Sequence, residues 1–411
     1  MLSLRWMLLL LWVLIGGAAL PAVASVELAE KRGEDWSKIP PLGETPLMRL
    51  SPALSSHSVK SAISDQSRSS SGKQHPIFQK LGIAPEALSG LNLPPPSDGP
   101  VRVKVGLKIL TIPEVNEPQE NFHIHAAYDL EWYDPRLASK QRSKSTRFRE
   151  EEASLLMRYI WRPDVDFFNG TTAPQIDNRM LIVEPDGWMR LHVLLDLPLS
   201  YHSHLRLLPF DEQELPILLE IFGVGANEVL LEPHQERSGY ERSFLPPDWN
   251  IIEFKSNSSL RKADLHGDGM VSQVAFRLHV KRDGQYFLWR VMLPMVLVVM
   301  VTWWIYWVPV EVFVSRLEIG LIGILTLVAF NLSVMDAIPN ISYLTLLDLF
   351  YLIGLMAIFI AVLESLWLSQ MANEQGEMER AQKINKRFRH MAPAMTLLAW
   401  GSVLMLPMLM G

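Results

Sequence analysis

The spacing of apolar positions divides this chain into two parts with different periods. In the first part, apolar and polar residues alternate in short runs that turn residues separate. The clearest runs are Val101–Ile109, Phe122–Trp132, Leu191–Leu197 and Val274–Val280. A period of two places one face of a strand in a core, so the pattern predicts an all-β, immunoglobulin-like sandwich of about ten strands. We assign residues 99–283 to this domain.

The second part, residues 284–411, contains four apolar segments that are long enough to span a membrane. They are Tyr286–Trp307, Val314–Val334, Tyr343–Leu368 and Met391–Met410. A helix needs about 20 apolar residues to cross the hydrocarbon core. The predicted fold class is therefore an all-β extracellular sandwich joined to an α-helical four-span transmembrane bundle.

The second apolar segment differs from the others because it carries a carboxylate and a one-sided stripe. The stripe follows helical spacing and consists of Glu318, Ile322, Leu325, Ala329 and Leu332. A carboxylate in a membrane helix requires a partner or water, so the stripe predicts one wall of a water-filled pore. One helix cannot enclose a pore, and several copies of the chain must do so. The alternative is that Glu318 only reaches the membrane interface beside Arg316.

Two further segments precede the sandwich. Residues 1–24 have the features of a secretory signal peptide: Arg5, the apolar run Met7–Ala19, and Ala22-Val23-Ala24 before Ser25. We predict cleavage after Ala24, and a retained membrane anchor is the alternative. Residues 25–98 are rich in Ser, Pro and Gly without clear periodicity, which predicts a largely disordered N-terminal arm.

Composition and charge narrow the class of protein. The chain is 49% hydrophobic and 20% charged, which fits a soluble domain joined to a membrane domain. Its net charge of −6 gives no support for a nucleic-acid partner, and without cysteine the exported part cannot depend on disulfides. Lys and Arg are concentrated in the loop Met371–His390 and absent from Met335–Ser342, so the positive-inside rule places the sandwich outside.

Several short motifs occur in a fixed order along residues 100–411. They are Trp132-Tyr133-Asp134, Trp161-Arg162-Pro163-Asp164, Pro209-Phe210-Asp211-Glu212-Gln213, Arg282, Pro294, Arg316, Pro339, Asp348, Glu364 and Pro393. In these motifs the chain resembles the pentameric ligand-gated ion channels, the Cys-loop receptor family, and in particular its bacterial members. Tyr201 and Leu215 occupy the positions of the two cysteines that give the family its name, a departure that fits the bacterial branch.

The resemblance implies a pentamer around a central pore, which we predict to be a homo-oligomer in a bacterial inner membrane with its N-terminal domain in the periplasm. Five copies of Glu318 would form a carboxylate ring that attracts permeating cations. Rings of Ile322 and Leu325 above it would form an apolar constriction that closes by dewetting. We predict cation selectivity from Glu318, although Val314-Ser315 matches neither the cation-selective nor the anion-selective pattern of the family at this place.

The resemblance also implies a set of residues that couple the two domains during gating. In this chain they are Glu117, Pro209, Phe210, Asp211, Arg282 and Pro339. Glu117, Asp211 and Arg282 would form a charge cluster, and the Pro209-Phe210 pair would dock on the loop Asp336–Tyr343. The alternative is that these charges pair incidentally at the surface.

The agonist site implied by the resemblance is incomplete in this chain. Its aromatic positions fall on Phe168 and Phe222, but Ala127 occupies another, and Lys255–Gly269 contains no aromatic residue. A cage for a quaternary amine needs several π faces. We therefore expect an unidentified small-molecule or proton agonist rather than an acetylcholine-like ligand. No cofactor or metal site is predicted, and the pairs His123/His125 and His202/His204 are interpreted as polar residues that face solvent.

Three functions are weighed. The first is a gated cation channel, the second is a membrane-anchored periplasmic ligand sensor that does not conduct, and the third is an exported enzyme with a membrane anchor. The enzyme is disfavoured because the sequence has no nucleophile elbow, phosphate loop or metallohydrolase motif. The pore stripe favours the channel over the sensor, because an anchor does not need Glu318 below an apolar face.

Overall fold

The computed structural model describes residues 80–81, 90–139, 142–241, 246–262, 269–335, 341–374 and 377–410. The predicted signal peptide (1–24), most of the predicted arm (25–98) and Pro339 lie outside them. Predictions that fall on those segments stay predictions.

The sandwich contains twelve described strands. They are β1 Val101–Thr111, β2 Val115–Asn116, β3 Asn121–Tyr133, β4 Thr146–Arg149, β5 Val165–Phe167, β6 Gln175–Val183, β7 Trp188–Ser200, β8 Glu212–Ile221, β9 Val229–Pro233, β10 Gly239–Tyr240, β11 Trp249–Lys262 and β12 Met270–Arg282. One short helix, α1 (Glu150–Leu156), and two 3₁₀ turns, Pro135–Leu137 and Gln235–Arg237, interrupt them. The count exceeds the predicted number of about ten because β2 and β10 have only two residues each, which is too short to show an alternating pattern in the sequence.

Two sheets face each other across the core. The larger sheet has the order β10-β1-β3-β7-β6-β4, with β2 paired to β3 and β9 paired to β1. The smaller sheet has the order β11-β12-β8-β5. In the smaller sheet, Lys281 on β12 pairs with Glu212 on β8, which places Arg282 beside Asp211 at the membrane end of the sandwich.

The core between the sheets is built from the inward positions of the alternating runs. Fully buried examples are Val103, Val105, Phe122, Ile124, Leu195, Ile217 and Phe276. Leu81 and Leu91, which precede the assigned domain boundary at residue 99, are also buried in this core. Full burial of a leucine side chain contributes about 1.5–3 kcal/mol, so part of the predicted arm helps to stabilise the sandwich.

Four long helices follow the sandwich: α2 Gln285–Tyr306, α3 Phe313–Met335, α4 Leu346–Glu374 and α5 Met378–Met410. The first three are long and apolar enough to cross a membrane. The predicted fourth span, Met391–Met410, is the C-terminal part of α5, which contains Pro393 and Pro407. The described part of α5 is not among the helices with a spanning apolar window, so the fourth span stays a prediction.

Only two residues, Asp283 and Gly284, separate the end of β12 from the start of α2, so sandwich and membrane domain are joined without a linker, as predicted. Its segment Leu288–Met292 is a wide π-helical turn. Pro294 lies just beyond this turn, where its ring lacks an N–H donor and crowds the carbonyl one turn earlier. This local disruption explains why the helix widens there.

Two glycines allow α3 to pack closely on its neighbours. A Cβ atom at Gly320 would clash with Val362 of α4, and one at Gly323 would clash with Thr302 of α2. Small residues permit this close approach between apolar helices. Both glycines lie on the side of α3 that packs against α2 and α4. The opposite side of α3 therefore points away from these two helices.

Candidate functional site: pore face, junction cluster and ligand site

The five residues of the predicted pore stripe all lie on one exposed face of α3. The exposed fractions are 64% for Ile322, 71% for Leu325 and 60% for Leu332, and Glu318 and Ala329 are exposed as well. On the other side of the same helix, Arg316 and Leu327 are buried. The structure therefore brings the predicted residues onto a face that the described part of the chain does not cover.

This exposed face combines one carboxylate with large apolar side chains. A soluble monomer rarely leaves a continuous apolar face open, so such a face belongs against lipid, another chain or a narrow pore. Lipid does not suit the Glu318 carboxylate, because an ionised group in hydrocarbon is costly. Around an aqueous pore, the carboxylate has water, and the apolar residues above it form a constriction.

A second set of polar residues holds the inner end of α3 inside the bundle. Arg316 is fully buried, and its Nη2 atom donates to Glu364 of α4 at 2.8 Å and to Asn385 of α5 at 2.9 Å. The Nδ2 atom of Asn385 donates to the carbonyl of Tyr306 at the end of α2 at 3.1 Å. Arg389 donates to the same carbonyl from α5. This inner clasp, Arg316, Glu364, Asn385 and Tyr306, connects all four helices.

The inner clasp also separates Arg316 from Glu318. Arg316 points into the bundle, whereas Glu318 lies on the exposed face. Among the ion pairs between described residues, none includes Glu318. The two side chains therefore do not form a local pair at the start of α3.

At the opposite end of the membrane domain, Arg282 brings the three predicted charges together. Its Nε atom donates to Asp211 at 2.8 Å, and its Nη1 atom lies 2.8 Å from Glu117. Its guanidinium carbon also lies 4.3 Å from the centre of the Trp249 ring. Gln213 holds Asp211 from the other side with a hydrogen bond of 2.6 Å. We call Glu117, Asp211 and Arg282 the junction cluster.

In the junction cluster, Arg282 and Asp211 are buried and Glu117 is half-buried, so the guanidinium lies between two carboxylates away from bulk solvent. Burial alone would lower the pKa of Arg282, but hydrogen bonding and attraction from Asp211, followed by Glu117, outweigh burial and raise it. The guanidinium therefore stays charged at every accessible pH. Because Glu117 precedes β3, Asp211 precedes β8 and Arg282 ends β12, the cluster joins three segments at the junction.

The loop Tyr201–Asp211, between β7 and β8, contacts the start of α2. Pro209 and Phe210 lie next to Gly284, where an added Cβ atom would come within 2.9 Å of the Pro209 carbonyl oxygen and 3.0 Å of the Phe210 ring. A larger residue at position 284 would thus push the loop away from the first membrane helix. This glycine sets how closely the loop approaches α2.

The same loop also contacts the segment that leads into α4. The backbone N–H of Leu205 donates to the Tyr343 hydroxyl at 3.1 Å, and the Leu346 N–H donates to the Arg206 carbonyl at 2.9 Å. Arg206 lies 5.4 Å from the Tyr343 ring centre. Docking on residues 336–340, including Pro339, falls outside the described residues. The loop is nevertheless attached to two membrane helices.

The two aromatic residues of the predicted ligand site lie on one sheet but not side by side. The Phe168 N–H donates to the Leu218 carbonyl at 2.8 Å, and the Phe222 N–H donates to the Asp164 carbonyl at 3.1 Å. The two phenylalanines therefore flank opposite ends of the β5–β8 pairing, about 13 Å apart along the strand. Both side chains are exposed. Between them on β8 lies Glu220, which the sequence analysis did not select.

Glu220 is bound by an arginine from β11. The Nε and Nη2 atoms of Arg261 donate to its two oxygens at 2.7 and 2.8 Å, and Gln273 donates to it at 2.6 Å. Arg261 also lies over the Phe168 ring, 4.3 Å from its centre. Sequence reasoning missed this group because its contacts depend on the register of three strands, β8, β11 and β12.

Comparison with known protein families identifies both domains of the chain. Residues 91–284 match the family model of the neurotransmitter-gated ion-channel ligand binding domain. Residues 291–400 match that of the neurotransmitter-gated ion-channel transmembrane region. Together the matches cover well over half of the chain, and the chain belongs to the family of neurotransmitter-gated ion channels.

The family assignment establishes the class of protein and its location in a membrane. The protein is a ligand-gated channel subunit and a multi-pass membrane protein with an extracellular sandwich, and it belongs to a family of channels rather than enzymes. The sequence-based resemblance and the predicted fold class are confirmed at this level. Assignment to the bacterial branch stays a prediction.

Proposed function

We propose that this protein assembles as a homopentamer and forms a cation-selective channel, in which an agonist bound between neighbouring sandwiches opens a pore lined by α3. We further propose that it resides in a bacterial inner membrane with the sandwich in the periplasm. The signal peptide proposed for residues 1–24 would direct this export.

The observation that carries the proposal is the exposed face of α3. It places Glu318 at one end and Ile322, Leu325, Ala329 and Leu332 along its length. The glycines on the opposite side hold α3 against α2 and α4, so this face points away from its own bundle. Copies of the chain arranged around an axis would cover the face and line a pore with it.

Cation selectivity is proposed because a ring of Glu318 carboxylates would stand in the ion path. At a separation of about 4 Å in water, each unit charge contributes about 1 kcal/mol to a passing monovalent ion. Several such charges attract cations and repel anions together. The buried positive charge of Arg316 is neutralised by Glu364 and does not oppose this effect.

Transmission from sandwich to pore is proposed to pass through the junction cluster and the loop that contains it. Asp211 lies in the same loop as Leu205 and Arg206, which contact Tyr343 and Leu346 before and in α4. Arg282 stands three residues before α2 begins. A rearrangement of the sandwich would thus reach two membrane helices through short, buried contacts.

The agonist is proposed to be a small molecule or the proton, bound at a subunit interface near Phe168 and Phe222. Both side chains are exposed in the single subunit. The aromatic set is smaller than a quaternary-ammonium cage requires.

The test is electrical recording from the full chain reconstituted in planar bilayers, with pH, calcium and small amines screened as stimuli. Stimulus-dependent currents that reverse at the cation equilibrium potential in a salt gradient are expected. Specific ligand binding by a correctly assembled protein, without conductance under any stimulus that binds, would instead establish the non-conducting sensor.

A further inference from the structure

The outer face of the smaller sheet carries an acidic site that a cation would fit. Glu220 on β8 stands directly opposite Asp166 on β5, so two carboxylate side chains project from neighbouring positions of one face. Phe168, two residues after Asp166, lies on the same side and presents an aromatic ring. A carboxylate beside an aromatic face is the combination that binds ammonium and guanidinium groups. We call Asp166, Phe168, Glu220 and Gln273 the cation cradle.

The cradle is already filled by a cation from the same chain. Arg261 reaches from β11 across β12, binds both oxygens of Glu220 and stacks on Phe168 at 4.3 Å. Gln273, on the intervening strand, donates to the same carboxylate at 2.6 Å. The planar guanidinium thus makes a two-point ion pair and an aromatic contact at once, which a lysine could not reproduce.

We propose that Arg261 is a built-in occupant of this cradle and determines the specificity of the site, because it excludes organic cations from Phe168 and Glu220. The inference rests on the proposed agonist site, since it concerns the same pair of strands. It predicts that the protein takes guanidinium and alkylammonium ligands poorly as it stands, and takes them once Arg261 is replaced by a neutral residue.

The loss of affinity for a free ligand follows from its competition with Arg261 of the same molecule. A tethered group acts at an effective concentration that reaches millimolar or more for short connections. A free ligand binds only to the fraction of molecules in which the cradle is open, so its apparent affinity falls by that fraction. If Arg261 occupies the cradle in about nine molecules of ten or more, its removal strengthens binding about tenfold or more.

A purely structural role for Arg261 is the main alternative. In that case the ion pair would only hold β11 to β8, and its loss would lower stability without creating a binding site. Chemical complementation separates the two roles, because only an open cradle of the right shape takes up the missing group from solution. Arg277 provides a matched control on the same sheet: it pairs with Glu214 at 2.9 Å, and the exposed fraction of its side chain is 37% against 35% for Arg261.

The experiment measures binding of n-propylguanidinium to the full chain in detergent, by titration calorimetry and by the rise in melting temperature. The proteins are wild type, Arg261→Ala, Arg277→Ala and the double variant Arg261→Ala/Glu220→Gln. Neutral n-propylurea, which has a similar shape, controls for the charge. We expect Arg261→Ala to bind propylguanidinium at least about tenfold more tightly than wild type and Arg277→Ala do, and the gain to vanish in the double variant and with propylurea.

Equal binding by wild type and Arg261→Ala, or a gain that survives Glu220→Gln, would overturn the proposal. If Arg261→Ala does not assemble, Arg261→Gln is measured in its place, since glutamine can still donate to Glu220. Failure of both variants to assemble would assign Arg261 a structural role and also overturn the proposal. Because the readout is binding and not current, its failure is distinct from a failure of the channel function.

Discussion

Two buried arginines stand at opposite ends of the membrane domain, and their surroundings differ. Arg282, at the junction with the sandwich, is bound by the carboxylates of Asp211 and Glu117 and covered by the Trp249 ring. Arg316, at the inner end of α3, is bound by one carboxylate, Glu364, and by an amide. One arginine connects two domains, and the other connects four helices of one domain.

The two clusters also differ in how fully their polar atoms are satisfied. Three nitrogen atoms of Arg282 lie within bonding distance of carboxylate oxygens. For Arg316, the Nε and Nη1 atoms have no hydrogen-bond partner among the described residues, and neither has the Oε1 atom of Glu364. Removal of one partner of a buried ion pair is strongly destabilising. The net contribution of the intact pair to stability depends on whether its remaining polar atoms are also hydrogen-bonded.

This difference indicates two mechanical roles. The junction cluster pairs Arg282 with two carboxylates at once, so the loss of one ion pair would not leave the guanidinium unpaired. The inner clasp has a single ion pair within a closely packed bundle and no second carboxylate partner among the described residues. We therefore expect the outer end of the membrane domain to move during gating, while the inner clasp keeps α3 in register.

The largest effect is expected from breaking the inner clasp. Arg316→Ala leaves Glu364 buried without its cation, which costs about 3–5 kcal/mol in the free energy of unfolding. The melting temperature and the yield of assembled protein should both fall strongly. Arg380→Ala is the matched control, because Arg380 is exposed and pairs with Glu377 on the surface. Equal stability of both variants would contradict a structural role for the clasp.

The second largest effect should come from the junction cluster. Arg282→Ala should leave a folded pentamer that gates poorly, because Asp211 and Glu117 lose the cation between them. Coupling energies between sites correspond to shifts of about 5- to 150-fold, so we expect the stimulus for half-maximal current to rise within that range. Lys281→Ala, which removes an exposed neighbour paired with Glu212, is the control. Normal gating by Arg282→Ala at normal surface expression would remove the coupling role.

Leu325 lies between the two ends of α3 and tests whether the exposed face of this helix contains the gate. Leu325→Ser places hydroxyl groups in the apolar ring and lowers the barrier to wetting, so current without stimulus should increase several-fold. Leu398→Ser introduces the same change at an exposed position of α5, where no effect on resting current is expected. If the resting current of Leu325→Ser equals that of wild type and of Leu398→Ser, Leu325 is not part of the constriction.

A smaller effect is expected from an ion pair in the sandwich that contains a histidine. His192 lies 2.7 Å from Asp129. The pKa of His192 is raised above 6.5, chiefly by its hydrogen bond to Asp129, and burial and Arg237 oppose the shift only in part. The pair therefore stabilises the folded state fully below the unfolded pKa, and this contribution is lost as the pH rises through the folded pKa.

His192→Gln should remove this dependence on pH. The melting temperature of wild type should exceed that of the variant most clearly below the ordinary histidine pKa, and the difference should shrink as the pH rises through the raised value. His204→Gln, at an exposed position outside this pair, is the control. A difference that stays constant over the same pH range would show that the ion pair does not titrate as described.

Much of this architecture could be predicted from sequence, because the relevant signals are local. Alternation predicted the sandwich, and one acidic residue with helical spacing placed the stripe on one face of α3. The three charges of the junction cluster were found through family motifs. In the structure, Arg282 lies 2.8 Å from Glu117 and 2.8 Å from Asp211.

The missed features depend on contacts between distant segments. Asn385 is an ordinary polar residue in a basic stretch, and nothing local shows that it reaches Arg316. Arg261 and Glu220 meet only through the register of three strands. Leu81 and Leu91 are isolated apolar residues in a segment without periodicity, so no pattern showed that both enter the core.

The most direct test of the account is the charge of Glu318. Glu318→Gln preserves the shape of the side chain but removes one negative charge from each copy around the proposed pore. Each charge contributes on the order of 1 kcal/mol to a nearby cation, so single-channel cation conductance should fall and the reversal potential in a salt gradient should move towards zero. Glu379→Gln, an exposed carboxylate near the start of α5, is the control and should change neither quantity. If conductance and reversal potential both stay unchanged in Glu318→Gln, Glu318 does not face the ion path, and the assignment of this face of α3 to the pore is wrong.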